Sequence, residues 1–204
     1  MKIICIGRNY AEHAKELNNP LPKEPIFFLK PETAIPLKRN PVFYPEFTKD
    51  LHYEVELVLR ICKLGKHIEE RFAHKYYNEI GIGVDFTARD VQKEMKEKGL
   101  PWEKAKAFDG SAPVGEKFLS LEGLANKDKI GFRLERNGEI AQKGISTDMI
   151  FSFDQIIAHL SKFMTLKMGD LIFTGTPKGV GPASIGDHFE AFIGDQKLLQ
   201  FNLK

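Results

Sequence analysis

Residues 51–60 read LHYEVELVLR. Apolar side chains stand at every odd position, a period of two that predicts a half-buried strand. The even positions share the other face, where the bases of Glu54 and Glu56 stand about 6.5–7 Å apart. Two neighbouring acids repel unless a cation lies between them, so this face is either a binding site for a hard metal such as Mg²⁺ or a solvated face of an antiparallel strand.

The composition predicts one globular domain over residues 1–204. A chain of 204 residues can build one core, its 42% hydrophobic and 28% charged residues are ordinary for a globular protein, and no repeat or linker divides it. A net charge of +2 gives no argument for a nucleic-acid or membrane partner. The absence of a long apolar run or secretory signal predicts a cytoplasmic location, where Cys5 and Cys62 would be buried thiols.

The local patterns predict a mixed, β-rich α+β fold with short helices. Asn137-Gly138 predicts the two-residue turn of a hairpin over 132–142. Thr87 is expected to cap a helix that runs to Lys98 and stops at Gly99, and Ser152 to cap one that runs through Phe163. The other expected elements are helices over 10–17 and 68–76, and strands over 2–6, 26–29, 51–61, 80–84, 171–173 and most of 187–203.

Asp85 ends a predicted strand in GIGVDFTARD, a position from which an acid can reach a site. With Glu54 and Glu56 it makes three carboxylates, enough to hold a hard divalent ion that keeps positions open for water or substrate. Taken alone, an acid that precedes a helix is also ordinary turn chemistry. The spacing therefore leaves both interpretations open.

Three further segments carry candidate chemistry. His13 and Glu16 lie three residues apart in YAEHAKEL, which suits either a general base held by a carboxylate or an incidental pair on a solvated helix. Lys106 lies between aromatic residues in PWEKAKAFDG and is either a surface lysine or a cation aimed at an enolate. The loop GTPKGVGP (175–182) lacks the Gly-Lys-Ser/Thr ending of a P-loop, so a turn that offers backbone N–H groups and the Thr176 hydroxyl to a carboxylate is the better functional interpretation.

The ordered motifs identify a family resemblance over about residues 7–186. The set GRNY-x-x-H, FLKP, E-x-E, VDFTARDVQ, GLPW-x-x-AK-x-F, SFDQIIAHLS and GDLIFTGTPKGVG resembles the fumarylacetoacetate hydrolase family. It is most similar to the short members that act as acylpyruvate hydrolases and oxaloacetate decarboxylases. The resemblance implies a β-roll of mixed strands with short peripheral helices, assembled as a homodimer.

By position, the resemblance also implies a set of site residues. Glu54, Glu56 and Asp85 would hold Mg²⁺ or Mn²⁺. Lys106 would be the catalytic lysine, and His13 and Glu16 the dyad of a lid helix that closes over the substrate. The positions implied to line the substrate pocket are Arg8, Arg89, Gln92 and Thr176.

The implied activity is cleavage of the C–C bond of an acylpyruvate with release of pyruvate, with oxaloacetate decarboxylation as a related reaction. The alternative is a tautomerase or isomerase acting on oxaloacetate or an unsaturated 2-oxo dicarboxylate, because that reaction needs the same metal and base but no attacking water. A β-rich binding module without catalysis is the non-enzymatic alternative. It would make the acidic trio, His13, Lys106 and Thr176 coincidental together.

Overall fold

The computed structural model describes residues 1–16, 20–37 and 41–204. Within these ranges the chain forms thirteen strands and five α-helices. The strands are β1 (Ile3–Gly7), β2 (Ile26–Lys30), β3 (Leu51–Tyr53), β4 (Val55–Ile61), β5 (Tyr77–Val84), β6 (Thr87–Ala88), β7 (Leu119–Ser120), β8 (Gly131–Arg136), β9 (Glu139–Ile145), β10 (Leu171–Phe173), β11 (Gly181–Pro182), β12 (His188–Ile193) and β13 (Gln196–Asn202). The helices are α1 (Ala11–Glu16), α2 (Glu70–Ala73), α3 (Arg89–Glu97), α4 (Glu103–Lys106) and α5 (Phe153–Phe163).

The strands form three sheets, which confirms the mixed, β-rich α+β prediction. The largest has six strands in the order β2-β1-β10-β4-β5-β7, and a four-stranded sheet has the order β13-β12-β8-β9. A small third sheet has the order β11-β3-β6. In the largest sheet β1 and β10 are parallel, whereas β4 is antiparallel to both β10 and β5.

The predicted strand over 51–61 is two strands, with a break at Glu54. β3 belongs to the small sheet and β4 to the middle of the six-stranded sheet. The half-buried prediction for β4 is wrong, because residues on both of its faces are buried and only Arg60 is partly exposed. Leu57 and Leu59 face the main hydrophobic core, and Val58 belongs to a second buried cluster.

α2 and α3 are shorter than the patterns predict. α2 has four residues where the pattern predicts a helix over 68–76. Thr87 is not the cap of α3, because Thr87 and Ala88 continue in extended backbone, pair with β3, and delay the first helical residue to Arg89. The expected end of α1 at 17–20 lies largely outside the described residues.

Two local predictions are confirmed in detail. Asn137 and Gly138 have φ values of 56° and 84° and turn β8 into β9, as a two-residue hairpin requires. Ser152 caps α5 through a reciprocal capping box with Gln155.

Within the described residues the structure has no disulfide and no helix that could span a membrane. Cys5 is fully buried and Cys62 half-buried, and both are free thiols. None of the helices in these ranges is long and apolar enough to cross a membrane.

Candidate active site

The site residues lie where several strands of the six-stranded sheet begin or end. The parallel strands β1 and β10 end there and continue into Arg8 and into the 174–176 turn. β4 begins at the same edge because it runs antiparallel to β10, and β5 ends beside the start of β4. The Asp85 N–H donates to the Glu54 carbonyl at 2.8 Å, which places these two acids side by side.

Glu54, Glu56 and Asp85 form a buried acidic trio. One ligand oxygen from each lies within 4.8 Å of the others, and the residues are 6%, 1% and 1% exposed. This burial rules out the solvated-face interpretation of Glu54 and Glu56. Three converging carboxylates are the oxygen donors that Mg²⁺ and Mn²⁺ accept, so the residues present fit a hard divalent ion.

Lys106 points its ammonium between two members of the trio. Its Nζ lies 2.9 Å from Glu54 Oε2 and 2.8 Å from Asp85 Oδ2. Burial opposes the charge, but Asp85 and Glu54 outweigh that cost and raise the pKa of Lys106 above its ordinary value. The surface-lysine interpretation is therefore wrong: Lys106 is a buried cation.

The surroundings of Glu54 and Glu56 shift their pKa values in opposite directions. Burial favours protonation of Glu54, yet the cations of Lys106 and Arg89 hold its pKa well below the ordinary range. Burial and the Asp85 carboxylate raise the pKa of Glu56, which the Gly175 N–H bond only partly offsets. Among the described residues Glu56 forms no salt bridge, so a cation placed against it would meet an uncompensated carboxylate.

α3 contributes Arg89 and Gln92 from one face. Arg89 Nη2 donates to Glu54 Oε1, and Arg89 Nη1 donates to Gln92 Oε1 at 2.9 Å. Gln92 is buried. The first turn of α3 thus fixes an arginine against the acidic trio.

His13 and Glu16 face each other on α1, as their spacing predicts. His13 Nδ1 lies 3.3 Å from Glu16 Oε2, and His13 is buried. The Gly179 N–H donates to both carboxylate oxygens of Glu16, at 3.2 and 3.3 Å. The carboxylate therefore fixes the ring from one side while the 175–182 loop fixes the carboxylate.

The Gly-Thr-Pro turn offers its amide to the protein's own carboxylate. The Gly175 N–H donates to Glu56 Oε2 at 2.7 Å. Thr176 is buried, and its Oγ1 accepts a 2.9 Å hydrogen bond from Gln142 Nε2. The turn was predicted to present N–H groups to a carboxylate, and in this arrangement that carboxylate is Glu56.

A single cavity brings the predicted residues together. Every predicted site residue except Glu16 lines it: Arg8, His13, Glu54, Glu56, Asp85, Arg89, Gln92, Lys106 and Thr176. Glu16 reaches the cavity only through His13. Buried acids, a buried ammonium and a held histidine in one cavity can bind a metal ion and move protons on an anionic ligand.

The family model for the fumarylacetoacetate (FAA) hydrolase C-terminal region matches residues 2–202. The chain belongs to the fumarylacetoacetate hydrolase family. It is 45% identical to mouse oxaloacetate tautomerase FAHD1, mitochondrial, over 99% of this chain and 91% of that protein. It is 43% identical to Escherichia coli oxaloacetate tautomerase YcgM, over 91% of this chain and 85% of that protein.

Solved structures of the family share the fold. Fumarylpyruvate hydrolase from Pseudomonas aeruginosa, solved in complex with Mn²⁺ and pyruvate, superposes with a TM-score of 0.92 at 36% identity. The superposition covers 100% of this chain and 89% of that one. The predicted β-roll with short peripheral helices is therefore confirmed.

The family's FLKP motif contains a site residue to which the sequence analysis assigned no role. Lys30 is buried, and its Nζ lies 2.8 Å from Asp85 Oδ1. The same ammonium donates to the Lys106 and Ser111 carbonyls and to Ser111 Oγ. Lys30 therefore anchors Asp85 from behind and also holds the backbone of α4, which carries Lys106.

Two buried amides also went unpredicted in this fumarylacetoacetate hydrolase fold. Gln142, on β9, accepts from the Val55 N–H at 2.8 Å while donating to Thr176, so it ties the four-stranded sheet to the site. Asn9 donates to the Thr174 and Phe151 carbonyls and accepts from the Phe151 N–H. Only a contact between distant segments reveals such residues; the one available signal is an amide within a motif, as in GRNY.

Proposed function

We propose that this protein is a metal-dependent enzyme that interconverts the keto and enol forms of oxaloacetate. The observation that carries the proposal is the buried Lys106 ammonium, held by Glu54 and Asp85 in the same cavity as His13. An ammonium at that depth can stabilise negative charge on the C2 oxygen of a 2-oxo acid. The tautomerase relatives, at 43–45% identity, support this reaction.

Glu54, Glu56 and Asp85 would hold the metal ion, Mg²⁺ or Mn²⁺. When bound there, the ion supplies Lewis-acid polarisation of the 2-oxo group and a chelating site for the adjacent carboxylate. The Mn²⁺ and pyruvate of the Pseudomonas aeruginosa hydrolase support this assignment.

The protein's own groups supply the proton transfer. His13, held by Glu16, takes a proton from C3 of oxaloacetate, and the electron pair of that C–H bond becomes the C2=C3 double bond. As that bond forms, the π pair of the C2=O group moves onto the oxygen, and Lys106 donates a hydrogen bond to the growing charge. Protonated His13 then delivers the proton it took from C3 to that oxygen, which gives the enol. Arg89, Gln92 and Thr176 orient the substrate within the cavity.

Acylpyruvate hydrolysis, the first activity that the family resemblance implies, is the second candidate. The specific observation in its favour is the contact of Glu16 with the Gly179 N–H group and with His13, which gives a base suited to activating water. The fumarylpyruvate hydrolase neighbour supports it as well. Oxaloacetate decarboxylation would use the same stabilised C2 oxygen with no attacking water.

A substrate panel decides between these reactions. Protein stripped with EDTA and reloaded with Mg²⁺ is given oxaloacetate, acetylpyruvate or fumarylpyruvate, followed by ultraviolet absorbance and a coupled assay for pyruvate. Faster keto–enol equilibration of oxaloacetate without pyruvate supports the tautomerase. Metal-dependent pyruvate release from an acylpyruvate supports the hydrolase instead, and release from oxaloacetate the decarboxylase.

The dyad has a matched control on the same helix. His13→Ala and Glu16→Ala should each lower turnover about 10²-fold or more, since the first removes the base and the second removes the carboxylate that orients it. Glu12→Ala removes an exposed α1 carboxylate that pairs with Lys15, and should leave turnover unchanged. Full activity in both dyad variants would refute the assignment.

Three further expectations are carried forward as proposals. We expect one catalytic domain over 1–204 and a homodimer, which gel filtration with light scattering would measure. A cytoplasmic location stays a prediction; the mouse relative is named as mitochondrial.

A further inference from the structure

The cavity carries more positive charge than its acids neutralise. Lys106 and Arg89 are paired with Glu54 or Asp85. Two other cations, Arg8 and Lys96, line the same cavity and form no ion pair within residues 1–16, 20–37 and 41–204. We call these two residues the rim pair.

The sequence places the rim pair on two elements that converge. Lys96 follows Arg89 and Gln92 at helical spacing on α3, so the three side chains share the face that lines the cavity. Arg8 follows β1 with φ of 59°, a left-handed conformation that is uncommon for arginine. Partial desolvation, followed by repulsion from Arg8 and Arg89, lowers the pKa of Lys96.

The charged residues that line the cavity differ in how deeply they are buried. The acidic trio and Lys106 form the buried end of the cavity, at 1–6% exposure. Arg8 is half-buried and Lys96 is exposed, beside the Trp102 ring at 5.6 Å. A 2-oxo acid whose carboxylate and oxo group bind at this buried end extends its other end into the less buried part of the cavity, where the rim pair lies.

We propose that Arg8 and Lys96 form a subsite for the distal carboxylate, so that this enzyme selects 2-oxo dicarboxylates over 2-oxo monocarboxylates. The inference rests on the proposed function, because it takes the 2-oxo end to bind at the acidic trio. Unpaired cations beside an apolar ring attract an anion more strongly than fully solvated ones do, since part of their hydration is already lost.

Binding of unreactive ligands tests the subsite without turnover. Calorimetric titration of the Mg²⁺-loaded protein with 2-oxoglutarate and with 2-oxovalerate compares two five-carbon 2-oxo acids that differ by the distal carboxylate. We expect wild-type protein to bind 2-oxoglutarate at least about tenfold more tightly, which is the gain from one charge-assisted contact.

Substitutions of the rim pair test whether these two residues cause the preference for 2-oxoglutarate. Lys96→Met and Arg8→Gln should each reduce the ratio of the two dissociation constants by about tenfold. Arg8→Gln keeps a non-glycine residue at the same φ, so its backbone cost equals that of the wild type. Lys93→Met, an exposed lysine of the same helix outside the cavity, is the control and should keep the wild-type ratio.

The outcomes separate this inference from the proposed function. Oxaloacetate turnover with equal binding of the two ligands would overturn the subsite and leave the function standing. A preference for 2-oxoglutarate that the rim-pair variants abolish, in a protein without oxaloacetate turnover, would support the subsite and overturn the tautomerase. Unchanged ratios in Lys96→Met and Arg8→Gln, or no binding of either ligand, would also overturn the subsite.

Discussion

At the scale of single residues, Lys30 is the most consequential side chain that sequence reasoning left without a role. IFFLK ends in a lysine followed by proline, a pattern typical of a strand that emerges at the surface. Its partners, Asp85, Lys106 and Ser111, lie 55 to 81 positions away, so no local pattern could reveal that the ammonium is buried. Lys30 lies in the FLKP motif, but its role depends on contacts that form only when the chain folds.

Replacing Lys30 tests this anchoring. Lys30→Met should lower the free energy of unfolding by about 3–5 kcal/mol, because it leaves a buried Asp85 with one cation fewer and removes the hydrogen bonds that the ammonium donates to three backbone carbonyls. Urea unfolding measures the change. Lys93→Met removes an exposed lysine and should stay within about 0.5 kcal/mol of wild type. A Lys30→Met midpoint equal to that of the control would contradict the anchoring role.

Gly175 shows why a glycine stands in the Gly-Thr-Pro turn. Its φ is +102°, and a Cβ there would lie 2.6 Å from the Asn9 Cβ. Its N–H also donates to Glu56. Gly169 has a similar φ of +85°, but a Cβ added to it would meet nothing within 4 Å, so it isolates the conformational cost from the close approach.

The pair Gly175→Ala and Gly169→Ala therefore forms a controlled comparison. Gly169→Ala should cost about 1–3 kcal/mol, the cost of a left-handed alanine. Gly175→Ala should cost more, because the turn must shift to relieve the contact with Asn9. That shift carries the residue 175 N–H away from Glu56, so Mg²⁺ binding should also weaken about 10–100-fold. Urea unfolding and calorimetric Mg²⁺ titration measure both effects. Equal losses of stability and unaltered metal affinity in the two variants would refute this role of the turn.

At the scale of elements, Asp170 joins the two parallel strands that deliver the site. It accepts hydrogen bonds from the Lys2 and Lys167 N–H groups at 2.8 Å each and pairs with the Lys2 ammonium. Burial alone would favour the neutral form, but these bonds hold the pKa of Asp170 below its ordinary value. The contact aligns β1 with β10, which end at Arg8 and at the Gly175 turn.

The sign of that pKa shift fixes a pH dependence. A depressed folded-state pKa means that the carboxylate stabilises the fold above the unfolded pKa of about 3.9, and that this stabilisation is lost as pH falls through the folded value. Asp170→Asn should therefore be less stable than wild type at pH 7, by about 1–3 kcal/mol, and the gap should narrow below about pH 4. Urea unfolding of both proteins from pH 7 to pH 3 measures it; a gap that stays constant or widens would contradict the assignment.

Elements were predictable where their cause is local. Asn137-Gly138 specifies its own turn and Ser152 its own capping box, so both predictions are confirmed. β3, before the break at Glu54, pairs with β11, and the extended Thr87 in β6 pairs with β3, so each depends on a partner strand from a distant part of the chain. A period-two pattern reports alternation within one strand and carries no information about that partner.

At the scale of the whole molecule, the site is assembled from segments that the sequence separates widely. Glu54 lies at the break before β4, Glu56 lies in β4, and Asp85 directly follows β5. The lysines come from β2 and α4, and the supporting amide Gln142 from the other large sheet. Spacing could pair Glu54 with Glu56 and His13 with Glu16, but it could not bring those pairs into one cavity. The family resemblance supplied that step, because it carries three-dimensional information that one chain's periodicity lacks.

The whole site can be tested by asking what a metal ion does to global stability. A ligand that binds only the folded state at 100 times its dissociation constant adds about 2.7 kcal/mol, which raises Tm by about 5–10 °C in a chain of this size. We expect Mg²⁺ to raise Tm by that amount in EDTA-stripped wild type. Glu56→Gln should abolish the rise, because it removes one of three anionic ligands while its amide oxygen still accepts from the Gly175 N–H.

The stability of Glu56→Gln without metal provides a second test. Glu56 lies beside Asp85 without a cation of its own among the described residues, so Glu56→Gln relieves repulsion and should not lower Tm in EDTA. Glu79→Gln removes a half-exposed carboxylate that pairs with Arg60 and should keep the full response to Mg²⁺. A Glu56→Gln protein that still gains the wild-type rise would remove Glu56 from the metal site. A Glu56→Gln protein whose Tm in EDTA exceeds that of wild type, and whose Tm does not respond to Mg²⁺, would show that the trio lowers the stability of the metal-free fold. That is the behaviour expected of a ligand site.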